Sequence, residues 1–106
     1  MADLRFFAAA TTADVEPGDF FVTEIENVRV VVCNVDGTYY AIEDTCSHEG
    51  SSFDDADLFE EEISCPRHGA IFDVRTGEAL GAPADLPVAT YEIRVNGNTI
   101  EVGLPR

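Results

Sequence analysis

A chain of 106 residues, 45% of them hydrophobic, makes one small domain with an ordinary core and little room for a separate substrate pocket. Its net charge of −15, with six arginines and no lysine, sets it against nucleic acid and anionic membranes. With no stretch apolar enough to span a bilayer, no signal-peptide pattern at Met1 to Arg5 and an odd three cysteines, it reads as a cytoplasmic protein whose cysteines suit metal better than disulfides.

Short strands with turn signals dominate the chain, and no internal repeat, low-complexity tract or linker interrupts it. Pro17-Gly18 reads as a connecting loop. Phe20 to Ile25 and Val28 to Val35 predict a hairpin around Glu26-Asn27, and Asp36-Gly37 is a two-residue turn into Thr38 to Glu43. The segment from about Asp44 to Val74 is poorer in strand signals and richer in Gly, Ser and Asp. Gly81 to Pro87 reads as another connecting loop. Tyr91, Ile93 and Val95 alternate with polar residues, Asn96-Gly97 turns the chain, and Ile100, Val102 and Leu104 alternate again. No window of ten or more residues has a 3.6-residue period, so little helix is expected. The expectation is an all-β single domain over 1–106: a small antiparallel barrel or sandwich carrying an inserted subdomain over about 44–74.

Both histidines and two of the three cysteines fall in that insertion, as Cys46-Ser47-His48 and Cys65-Pro66-Arg67-His68. Lone cysteines and histidines are mostly buried thiols and surface imidazoles. Here each thiol has an imidazole close by, and Gly50 or Gly69 follows each pair. A structural zinc site would gather all four residues tetrahedrally on one ion. Zinc patterns usually set two Cys together and two His together, however, and Cys-x-His is tight for two bonds to one small ion. A two-iron cluster accounts for the alternation: each loop gives a thiolate to one iron and an imidazole to the other. Replacing thiolate by neutral imidazole removes negative charge and eases reduction, giving potentials of about −150 to +300 mV against about −400 mV for all-thiolate plant-type clusters.

These residues resemble the Rieske motif, C-x-H followed by C-P-x-H-G. The likeness continues through Phe72-Asp73-Val74-Arg75-Thr76-Gly77, through Gly81 to Pro87, which is similar to the family's cluster-covering proline loop, and through Tyr91 to Val102. The pattern best fits the small soluble Rieske ferredoxins of bacterial aromatic-ring dioxygenase systems. The resemblance implies a Rieske-like β fold and one [2Fe–2S] cluster held by Cys46, His48, Cys65 and His68. It also implies a one-electron carrier, not an enzyme, passing electrons from an NAD(P)H-dependent flavoprotein reductase to a terminal oxygenase. His48 and His68 would turn their free ring nitrogens to solvent, making that edge the electron exit and lowering the potential at alkaline pH. Glu49, Phe53, Arg67 and Pro83 are candidates for the surrounding surface. A zinc-stabilised interaction module is the alternative from another class. A Rieske subunit of a nitrite-reductase-like enzyme, or of an iron–sulfur assembly system, keeps the cluster but changes the role.

Departures from the wider family sharpen the expectation. High-potential Rieske proteins join their ligand loops by a disulfide, and the matching positions here are Ser51 and Arg67. They also donate hydroxyl hydrogen bonds to the cluster from positions that match Ala70 and Phe72. Such bonds stabilise the more negative reduced state, so their loss predicts a potential in the lower part of the Rieske range. Pro66 suits a tight ligand loop, and Gly50 and Gly69 suit either close backbone approach or ordinary turns. Cys33, inside a Val-rich strand, is expected to be a buried small hydrophobe and not a ligand. The acidic run Asp54, Asp55, Asp57, Glu60, Glu61 and Glu62 is either a docking face for basic partners or a solvated loop.

Overall fold

The computed structural model describes residues 4–44, 57–64, 71–80 and 87–105. Among these the regular structure is β-strand, apart from a 3-10 turn at Thr12–Asp14. Strands β2 (Phe20–Ile25), β3 (Val28–Val35) and β4 (Thr38–Glu43) form a meander with the expected bounds. Both connections are two-residue turns at positive φ: 50° and 67° at Glu26 and Asn27, 53° and 93° at Asp36 and Gly37. That is the type I′ pattern, whose twist matches the flanking strands.

Strands β8 (Thr90–Asn96) and β9 (Thr99–Pro105) form the C-terminal hairpin. Its turn is Gly97-Asn98, one residue later than expected, because Asn96 pairs with Thr99 and Gly97 takes φ 65°. Glycine is the cheapest residue at a positive φ in the first turn position, and that places Asn96 in the ladder. Strand β1 (Leu4–Thr11) carries no alternation that would announce it. It pairs antiparallel with β9, and a bulge between Ala8 and Ala10 breaks the register. The extra residue lets Phe7, Ala9 and Ala10 all pack against the same core, which erases the period of two.

The large sheet has the order β1-β9-β8-β4-β3-β2. It curls so that β1 comes alongside β2. Inside the curl lie Val15, Ile25, Val30, Val32, Ala41, Ile100, Val102 and Leu104. The outer face of the same β3–β4 wall, Val31, Cys33 and Ile42, belongs to a second core. Both faces of β3 are therefore buried, which is why it reads as an unbroken apolar run, Val30-Val31-Val32-Cys33.

That second core is closed by a small sheet of β5 (Asp57–Phe59), β6 (Glu62–Ser64) and β7 (Ile71–Asp73). The cross-strand row Leu58, Ile63, Phe72 faces the wall, with Ile63 and Phe72 fully buried. The segment expected to be poor in strands thus carries a three-stranded sheet. Its strands are three residues each, too short to register as alternation.

Candidate metal centre

Cys46, His48, Cys65 and His68 all lie outside the described residues, as do Gly50, Ser51, Pro66, Arg67, Gly69, Ala70 and Pro83. What the structure describes is the framework from which their segments emerge. In the small sheet, Asp57 pairs with Ser64 and Ser64 with Ile71, so these three form one end row. Leu80 joins that row, its N–H donating to the Ile71 carbonyl at 2.7 Å. Segment 45–56 returns at this row, segment 65–70 leaves and returns there, and segment 81–86 leaves there. The segment carrying the first Cys/His pair thus runs from β4 of the large sheet to β5 of the small one, and the segment carrying the second joins β6 to β7.

The first pair follows β4 directly. The Asp44 N–H donates to the Arg29 carbonyl at 2.9 Å, and the Arg29 Nε donates back to the Asp44 carboxylate at 2.9 Å. The Asp44 side chain is fully buried and that of Arg29 half-exposed. A buried carboxylate needs such a charged partner, and the pair fixes the chain two residues before Cys46. Beyond β7, Asp73 accepts hydrogen bonds from the Arg75 side chain and backbone. Chiefly through the side-chain bond, Arg75 holds the Asp73 carboxyl below its usual 3.8.

Phe72 sits fully buried in the core beneath the sheet, and its ring brings no hydroxyl to this end of the protein. Cys33 is fully buried against the same core, and burial pushes its thiol up to about 12. As expected, it is a core side chain. Asp54 and Asp55 lie outside the described residues. The rest of the acidic run is a β5–β6 hairpin, not a plain loop, with a turn at Glu60-Glu61 and Phe59 70% exposed. This tip is at the end of the small sheet opposite the row of Asp57, Ser64 and Ile71, across a shallow cleft from Pro17, Val35 and Asp36. The sequence does not announce the Arg29–Asp44 pair, nor the close approach of Gly77 to Val88, although Gly77 ends the stretch Phe72 to Gly77 that resembles the family. A carboxylate two residues before the first Cys/His pair was the one signal for the former.

Two thiols and two imidazoles suit a mixed-ligand two-iron cluster, thiolates supplying charge and imidazoles raising the potential. Among the described residues no helix is long and apolar enough to cross a membrane.

A family model described as the Rieske [2Fe-2S] domain matches residues 5–92. The chain is 38% identical over 98 residues to the 3-phenylpropionate/cinnamic acid dioxygenase ferredoxin subunit of Escherichia coli strain K12, covering 92% of each. It is similar to the solved ferredoxin of carbazole 1,9a-dioxygenase from Nocardioides aromaticivorans IC177, with a TM-score of 0.86 and 34% identity over 92% of this chain and 95% of that one. It also matches a chain in a solved complex of reduced oxygenase and oxidized ferredoxin in carbazole 1,9a-dioxygenase, with a TM-score of 0.85 and 28% identity over 92% of this chain and 91% of that one. The chain belongs to the Rieske [2Fe–2S] domain family, and its cofactor is one Rieske-type cluster. The related ferredoxins are electron-transfer components, and this chain is a carrier of that kind, not an enzyme.

Proposed function

We propose, from membership of this family, that the chain is the ferredoxin of an aromatic-ring dioxygenase system, taking electrons from an NAD(P)H-dependent flavoprotein reductase and delivering them to a terminal oxygenase. The observation that carries the proposal is the 38% identity, over 92% of each chain, to a dioxygenase ferredoxin subunit. Cys46, His48, Cys65 and His68 are the residues that would hold the cluster, Cys46 and Cys65 on one iron and His48 and His68 on the other. The bound cluster supplies one reversible electron. The chain's own task is to hold those four side chains still and to keep one face accessible to a partner.

Rigid stems serve the first need: Asp44 is locked to Arg29, and Ser64 and Ile71 are locked in the sheet ladder. The subdomain that does this spans about 44–74 within a single 1–106 domain, and the protein acts in the cytoplasm. Related ferredoxins belong to dioxygenases and one is solved with its oxygenase, which supports the oxygenase as partner. The net charge of −15 favours fast encounter with basic partner surfaces and disfavours nucleic acid.

Reconstitution tests the reading. The holoprotein, reduced through a flavoprotein reductase and NADH, is mixed with candidate terminal oxygenases while cluster absorbance and substrate oxidation are followed. Product formation that depends on the chain is the expected result. Oxygenase turnover that runs equally well without the chain would overturn it.

A further inference from the structure

The two Cys/His pairs leave from different sheets. Segment 45–56 follows β4 of the large sheet, whereas segment 65–70 is closed by β6 and β7 of the small one. Their relative position depends on what joins the sheets. Across the interface, Val31, Cys33 and Ile42 pack on Ile63, Phe72 and Val74. Apolar packing of this kind is non-directional and sets spacing better than register.

Among the described residues, backbone hydrogen bonds at residues 88 and 89 link the two sheets. The Val88 N–H donates to the Gly77 carbonyl at 2.8 Å. The Ala89 carbonyl accepts from the Glu43 N–H at 2.8 Å, and the Ala89 N–H donates to the Glu43 Oε1 at 3.3 Å. Gly77 is itself pinned, its N–H donating to the Asp73 carbonyl at 2.6 Å. Its φ is +80°, and a Cβ there would stand 2.1 Å from the Val88 carbonyl oxygen. Conformation and space both demand glycine at this crossing. Val88 is 4% exposed, its side chain embedded in the core shared by the two sheets. One hydrogen-bonded path therefore runs from Asp73, on the strand after His68, through Gly77, Val88 and Ala89 to Glu43, three residues before Cys46.

We infer that Gly77 and the Val88-Ala89 crosspiece are positioning elements that set the two Cys/His pairs in register with each other. The inference rests on the ligand assignment made above. A residue of this kind acts on the geometry of the centre without touching it, so its signature is spectroscopic as well as structural.

The test uses holoprotein carrying Gly77→Ala, Val88→Ala or, as control, Val102→Ala. Val102 is fully buried in the other core, and its replacement removes the same two carbons as Val88→Ala. Iron content, midpoint potential and the electron paramagnetic resonance g values of the reduced protein are measured beside thermal unfolding. Gly77→Ala and Val88→Ala are expected to shift the potential and g values, while Val102→Ala lowers the unfolding temperature and leaves both signals at wild type. Signals that stay at wild type in the two crosspiece variants would overturn the inference. If Gly77→Ala does not fold, Val88→Ala against Val102→Ala decides alone. Cys46→Ser and His68→Ala separate the two levels. A wild-type cluster in either overturns the ligand assignment. Its loss in both, together with unmoved signals in the crosspiece variants, overturns the positioning role by itself.

Discussion

Replacement of Cys33 by alanine probes the core that carries the small sheet. Cys33 is fully buried among Val31, Ile42, Ile63 and Phe72, and burial raises its thiol from 9.0 to about 12. At pH 8 a thiol at 9.0 is roughly one-tenth thiolate, and one at about 12 is thiolate in roughly one molecule in ten thousand. Only the thiolate attacks, so iodoacetamide should modify Cys33 about 1000-fold more slowly than an exposed thiol, before steric protection is counted. The same rise sets a sign for stability. Between pH 9.0 and about 12 the unfolded chain has lost the thiol proton and the folded chain keeps it, so stability falls as pH climbs through that window and is untouched below it. The full effect is about 4 kcal/mol. Cys33→Ala should remove this alkaline loss, cost about 1–2 kcal/mol at neutral pH through the vacated volume, and leave the visible spectrum of the holoprotein unchanged. The assay is alkylation at pH 8 read by peptide mass spectrometry, with cluster absorbance followed in parallel. Modification of Cys33 at the rate of a free thiol while absorbance holds would refute the burial argument, and loss of colour in Cys33→Ala would refute its exclusion from the ligands.

Three further outcomes are expected. Asn34, 2% exposed, donates through Nδ2 to the Val15 carbonyl and accepts through Oδ1 from the Gly37 N–H, so Asn34→Ala strands two polar groups. The cost is about 2–4 kcal/mol, seen as a melting temperature lower by about 10 °C or more in circular dichroism. The Asp73 carboxylate, held below 3.8 by Arg75, contributes stability above that value that is lost as pH falls through its folded one, so Asp73→Asn should flatten acid unfolding below pH 3.8. If the acidic surface steers partners, electron delivery to the oxygenase should slow on the order of tenfold between low and high salt, and a flat stopped-flow rate would remove that role.

Much of the scaffold was legible because local rules and tertiary context agree. The meander from Phe20 to Glu43 has two-residue turns of the type I′ pattern, and its alternating or wholly apolar strands have one way to bury their faces. Strand β1 was not legible, because Ala8-Ala9-Ala10 has no strand preference and its pairing with β9 spans almost the whole chain. The small sheet escaped notice for the same reason on a smaller scale. Three-residue strands are stabilised by the Leu58, Ile63, Phe72 row against the β3–β4 wall, not by their own propensity.

By itself the sequence determined which donor groups are at hand. Two thiols and two imidazoles in alternating pairs point to a mixed-ligand cluster, because the identity and order of side chains are covalent facts. Only the tertiary structure decided how those pairs are framed. The end row of Asp57, Ser64, Ile71 and Leu80, the Arg29–Asp44 brace, and the crossing of Gly77 under Val88 all join residues far apart in the chain. Hydrogen bonds and close approach of that kind depend on where the backbone goes, which no local pattern encodes.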